Sequence, residues 1–146
     1  MKASRHVAAA IPLAAVLYAA GRSPLEIALA ASASVLIDVD HLADYVLCRG
    51  GWFGLRDFFQ SCNEARLNRL YLVLHAWEWI ILGGVAALAA GAPLPGMVVC
   101  GMAWHLVFDA IGNRGVVVPG FYWFFRRAGV GFDAARLYRD PSRIYA

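Results

Sequence analysis

Hydrophobic positions fall into four long runs separated by short polar breaks. The first covers about 6–20, the second about 24–47, the third about 70–90 and the fourth about 95–112. Each is apolar all round rather than along one stripe, the pattern of helices that face lipid or a deep core. The runs predict an all-α, polytopic membrane protein: a single domain over 1–146 built as a four-helix transmembrane bundle. Gly21-Arg22-Ser23 and Gly91-Ala92-Pro93 read as tight connectors, and Pro24 suits the first position of a helix. Pro12 predicts a kink in the first run. Gly83-Gly84 suits close packing between helices. Residues 48–69 read as a polar loop and 113–146 as a mixed tail. Within the tail, the aromatic run 121–125 followed by Arg126 and Arg127 reads as an interfacial anchor.

Composition strengthens the membrane reading. Of 146 residues, 61% are hydrophobic and 16% charged. Soluble domains run near 45–50% and 25%. Mean hydropathy is +0.58. Disorder and a nucleic-acid-binding surface are excluded on these grounds. The net charge of +3 is distributed unevenly. With both termini cytoplasmic, 12 of the 13 Lys and Arg fall on the inner side and only Arg22 falls outside. The expected location is therefore the cell inner membrane, multi-pass. Tyr18-Ala19-Ala20 is a poor cleavage site, so the first run is expected to stay as a helix rather than leave as a signal peptide. Cys48, Cys62 and Cys100 are odd in number and form no C-x-x-C pair, so neither a disulfide framework nor a thiolate metal site is suggested.

Ionisable side chains in lipid are costly and mark function. Here they are His6, then Asp38, Asp40, His41 and Asp44, then His75 and Glu78, then His105 and Asp109. The set contains all four histidines. The four-span topology brings every one of these groups to a single layer near the cytoplasmic face. Asp38/His41, His41/Asp44 and His75/Glu78 are three apart, while Asp40/Asp44 and His105/Asp109 are four apart, so each pair shares a helix face. Asp38 and Asp40 point about 200° apart on an ideal helix. His and carboxylate pairs aimed inward from several helices are how bundles hold metal ions. The candidate ligands are His6, Asp38, Asp40, His41, His75, Glu78, His105 and Asp109. Nitrogen and oxygen donors without thiolate suit a divalent ion, zinc first, with iron or manganese as alternatives. The donors outnumber one tetrahedral site, so two ions fit the count.

Two segments carry a resemblance. Ser34 to Leu42, with its D-V-D-H core, resembles the "LLPDIDH" segment of the YdjM-type inner-membrane metal-dependent hydrolases, with Ile37 in place of the usual Pro. Gly101 to Asp109 resembles their "GYLSHxxxD" segment. His6 matches an early histidine of that family, and His75 the last His of its "HRGxTHS" segment. The first His, Arg and Gly of that third segment are Leu70, Tyr71 and Leu72 here. The resemblance covers roughly 4–125 and implies hydrolysis of a phosphoester or lipid-like substrate.

The expected function is a membrane-embedded, metal-dependent hydrolase acting on a membrane lipid or other amphiphile at the cytoplasmic leaflet. Glu78 and Asp44 are the candidate general bases. Arg49, Arg56 and Arg114 are the candidates to meet a phosphate. Two other classes compete. A di-iron oxidoreductase would also use carboxylates and histidines from four helices. A non-enzymatic metal-binding or transport protein would need the same ligands and no turnover.

Overall fold

The computed structural model describes residues 3–140, with side chains from Val7 onward. The described chain is all-helical: α1 (Ala3–Ala19), α2 (Pro24–Leu36), α3 (Val39–Arg49), α4 (Leu55–Asn63), α5 (Trp77–Ala89), α6 (Pro93–Gly112), α7 (Phe124–Gly129) and α8 (Ala134–Leu137). Two isolated bridges hold the C-terminal segment: Arg69, in the loop before α5, pairs with Asp133, and Val117, in the segment after α6, pairs with Tyr138.

Helix α6 is the axis against which α1, α2 and α5 pack. Gly101 sets the closest approach: a Cβ there would run into the Ala30 carbonyl of α2. Gly83 and Gly84 of α5 both face Val99 of α6, as the sequence suggested. Leu13 and Leu17 of α1 pack with Ala30, and Trp104 Nε1 donates to the Ala9 carbonyl over 2.8 Å. Pro12 lies inside a continuous α1. Pro24 begins α2 as expected. Ser23 Oγ accepts from the Glu26 amide, and Glu26 returns a bond to the Ser23 amide, a reciprocal cap.

Four of the sequence-derived assignments change. The second run is not one helix but α2 and α3, broken at Ile37 and Asp38. The ladder tightens there to i→i−3 bonds, with Asp38 N to Val35 O, Asp40 N to Ile37 O and His41 N to Asp38 O. No Pro or Gly marks this position, so local propensity gives no stop signal; the break is held by what Asp38 and Asp40 bond. The third run becomes helical only at Trp77. Residues 70–76 are irregular, with Leu72 in the left-handed region at φ 42°. The stretch 48–69 contains α4, and the tail up to residue 140 folds back as a cap. Ile37, Tyr45, Leu67, Leu70, Leu72, Leu106, Phe121 and Leu137 form one core beneath that cap. The aromatic run divides: Phe121 and Tyr122 are buried, whereas Trp123 and Phe125 are exposed. Only the latter pair can act as an anchor.

By length and composition one helix, α6, can cross a membrane. Helices α1 and α5 are apolar but shorter. At 1.5 Å per residue, α6 reaches about 30 Å, the thickness of a hydrocarbon core, and α5 about 20 Å.

Candidate metal centre

The two irregular stretches and α6 meet at one place. Asp38 sits at the α2/α3 break, His75 in the irregular segment before α5, and His105 and Asp109 in the second half of α6. Asp38 Oδ1 lies 3.5 Å from His75 Nε2 and 3.4 Å from His105 Nε2. The two Nε2 atoms are 3.2 Å apart. Asp109 Oδ2 is 3.5 Å from His105 Nε2 and 4.0 Å from His75 Nε2. Four ligands at about 2.0–2.1 Å from one tetrahedral centre stand about 3.3 Å from each other. The separations among Asp38, His75 and His105, 3.2 to 3.5 Å, have that size, while Asp109 stands further out, 4.0 Å from His75 Nε2. Asp38, His75 and His105 form a buried group that can hold a metal ion.

The donor chemistry fits as well as the spacing. His105 Nδ1 bonds the Ser34 carbonyl at 2.7 Å, and a carbonyl can only accept, so Nδ1 carries the proton. His75 Nδ1 bonds Asp40 Oδ2 at 3.2 Å and is a donor to that carboxylate. Both imidazoles, if neutral, therefore turn the lone pair of Nε2 into the cluster. The two Nε2 atoms stand 3.2 Å apart beside Asp38, a contact that either a proton on one ring or a cation bound by both lone pairs accommodates. Outer acceptors that fix the tautomer and aim of a ligating His are a regular feature of metal sites.

Each expected ligand can now be placed. Asp38, His75, His105 and Asp109 converge. His41 Nε2 is 3.7 Å from Asp38 Oδ1, and its ring centre is 5.1 Å from that of His75, so it stands at the edge of the group. Asp40 is not aimed at the centre. It takes the His75 ring N–H together with the amides of Leu74 and His75. The ideal-helix separation of Asp38 and Asp40 does not apply at the break, and the two flank His75. Asp44 accepts from the Leu72 amide at 3.2 Å and holds that segment, which corrects its reading as a base. Glu78 is corrected both as ligand and as base. Its two carboxylate oxygens accept the amides of Phe124 and Phe125, at 3.0 and 3.2 Å. The cause is the late start of α5: His75 precedes the helix, so no shared face links it to Glu78. The side chain of His6 lies outside the described residues.

The arginines also differ from expectation. Arg49 pairs with Asp57 at 3.4 Å and lies over the Phe53 ring. Arg56 and Arg114 are exposed, and none of the three lines the cleft at the centre. The arginine that matters here is Arg127, which is fully buried. Its guanidinium donates to the carbonyls of Tyr71, Leu72, His75 and Phe121. Burial lowers its pKa from the usual arginine value, opposed by the charges of Glu78, Asp40 and Asp44. From the sequence, Arg127 is indistinguishable from its exposed neighbour Arg126.

A cleft of about 1010 Å³ opens beside the cluster. Asp38, His41 and Asp109 contribute to its wall, as do Phe58, Phe59, Leu67, Leu70, Val117 and Phe121. His75 and His105 are sealed from solvent. Cys62 also lines the cleft, and burial pushes its thiol up to about 12, which keeps it protonated and unreactive.

Comparison of the chain with family models, with curated proteins and with solved structures finds no match. The likeness to the YdjM-type hydrolases rests on the quoted segments alone.

Proposed function

We propose that the protein is a membrane-embedded, metal-dependent hydrolase whose site opens near the cytoplasmic leaflet. The observation that carries this reading is the convergence of two imidazole Nε2 atoms with Asp38 and Asp109, oriented from behind by Asp40 and Ser34 and open on one side to the cleft. A divalent ion at that point supplies Lewis acidity, polarising a substrate oxygen and acidifying a water.

The protein's own groups do the rest. Asp38, His75, His105 and Asp109 hold the ion. His41 replaces Glu78 and Asp44 as the candidate base, since it is the histidine on the cleft wall and its Nε2 faces Asp38. The apolar wall excludes bulk water and favours a phosphoester or lipid-like substrate. Two carboxylates of this centre would repel a free anion, so the ion's charge is needed to bring a phosphoester in.

Membrane insertion is supported by what the helices leave outside. Ile11 and Tyr18 of α1, Leu36 of α2, Leu82 and Leu88 of α5 and Ile111 of α6 are each at least 60% exposed. Apolar exposure on that scale suits lipid better than water. Helices α1, α2 and α5 would then complete the bundle around α6, with the cap and the centre at the cytoplasmic end.

The test is elemental analysis of the purified protein, followed by assay against a phosphodiester and a phospholipid panel. The expected result is a stoichiometric divalent metal and turnover that a chelator abolishes. His41→Ala should keep the metal and lose turnover. Metal with no turnover on any ester would leave a binding or transport protein; no metal would overturn the reading.

A further inference from the structure

The substrate cleft carries a second feature that the metal chemistry does not use. Ser61, at the end of α4, is fully buried and lines the same cleft as Asp38 and Asp109. Its Oγ has no hydrogen-bond partner among the described residues. Buried hydroxyls are nearly always partnered. The surrounding wall is apolar: Leu67, Leu70, Leu72 and Val117 are buried, and Phe58 and Phe59 close one side. At about 1010 Å³ the cleft lies at the upper end of the range of small-molecule sites, roughly 300–1,000 Å³. No Lys or Arg is among its described lining residues, so no cationic side chain there pairs with an anionic head.

We propose that this cleft binds a single-chain amphiphile, its hydrocarbon chain along the wall formed by α4 and the segments 65–72 and 116–122, and an oxygen of its polar part on Ser61 Oγ. The assignment rests on the metal-centre reading only for what happens at the reactive end. A chain in the cleft removes apolar wall from water, which is the main drive. The Ser61 hydroxyl then meets a ligand oxygen instead of remaining alone. Because Asp38 and Asp109 share the lining, the ligand's remaining polar group lies against the metal centre, as a hydrolase for amphiphiles needs.

The experiment measures saturable binding of radiolabelled palmitate and of radiolabelled palmitoyl-lysophosphatidylcholine to the full chain held in amphipol. These share one chain and differ in the head. Wild type should bind at least one of them at a single saturable site, and which one names the head. Cys62→Phe fills the wall without touching the cluster and should weaken binding about tenfold or more. Ser61→Ala should weaken it about fivefold, the value of one hydrogen bond. Metal content and helicity should stay at wild-type level in both. No saturable binding of either probe, or equal affinity in wild type and Cys62→Phe, overturns the proposal. Equal affinity in Ser61→Ala overturns the Ser61 contact. Chelated protein separates the two readings. If it still binds a chain, this inference holds even where hydrolysis fails. If metal-loaded protein binds no chain, the inference falls and the centre stands.

Discussion

Arg127→Lys tests how the centre is built. Arg127 donates to four carbonyls, and three of them, on Tyr71, Leu72 and His75, belong to the irregular segment that carries a ligand. The fourth, on Phe121, ties that segment to the cap. Lysine keeps the charge but is a single point on a flexible stem, and cannot fork. It can reach about two of the four carbonyls, leaving the others buried and unpaired. Each charge-assisted bond contributes about 1.5–3 kcal/mol. Losing two therefore costs about 3 kcal/mol at least, a large part of a typical total stability of 5–15 kcal/mol. His75 would lose the bond on its own carbonyl, so its ring would be held less firmly. Removing the support of a ligand typically costs 10–100-fold in metal affinity. The assay is zinc affinity by chelator competition, with thermal melting of loaded and stripped protein. Both affinity and melting temperature should fall, and the loaded form should lose more. Unchanged affinity with a lowered melting temperature would refute the claim that Arg127 positions His75, and unchanged values of both would refute the four-carbonyl latch itself.

His105→Ala should give a protein that inserts, keeps α6 and binds far less metal; equal metal content in wild type and variant would remove His105 from the centre. Asp40→Asn keeps the shape but weakens the acceptor for His75 Nδ1–H, so zinc should bind about 10–100-fold more weakly by chelator competition. Gly101→Ala should destabilise by about 2 kcal/mol or more through the Ala30 carbonyl, reversing the gain of about 1 kcal/mol that Gly to Ala gives in an open helix; denaturation in detergent reads the sign. Glu78→Ala should lower the melting temperature, about 1–2 kcal/mol for two bonds at the start of α7, and leave metal content untouched; lost metal would return Glu78 to the centre.

Much of the helical layout was readable because apolar runs and their breaks are strong signals. Pro24, the Gly83-Gly84 packing and the all-helical class all follow from residue type and spacing. Within the site, His75, His105, Asp109 and Asp38 were legible as costly groups in apolar surroundings, and they do converge. What failed was the assumption that each apolar run is one ideal helix. Leu70 to Ala76 is as apolar as the α5 that follows, so composition cannot mark it as irregular. Its shape is imposed by distant residues, Asp40, Asp44 and Arg127, which lie 28 to 56 positions away in the chain. The same mistake placed Glu78 on a face with His75. Asp40 and Asp44 stand out in the sequence, but a carboxylate that bonds backbone and one that bonds metal look alike there.

The two backbone breaks explain each other. Buried irregular backbone is tolerated only where its polar groups find partners. In the segment before α5, the Leu72 amide goes to Asp44, and the Leu74 and His75 amides go to Asp40. The carbonyls of Tyr71, Leu72 and His75 go to Arg127. Two acids on one side and one base on the other therefore replace the helical ladder that this segment gives up. Asp40 can do this only because the chain tightens at Asp38, which turns Asp40 toward the segment and Asp38 toward His75 and His105. A continuous second helix would separate those two carboxylates by more than half a turn. The break in α2/α3 thus supplies one ligand and the support of another, and the break before α5 supplies the histidine between them. The charges of this chain are divided accordingly: Asp38, His75 and His105, with Asp109 beside them, make the group that could hold an ion, while Asp40, Asp44 and Arg127 bond the backbone that presents it.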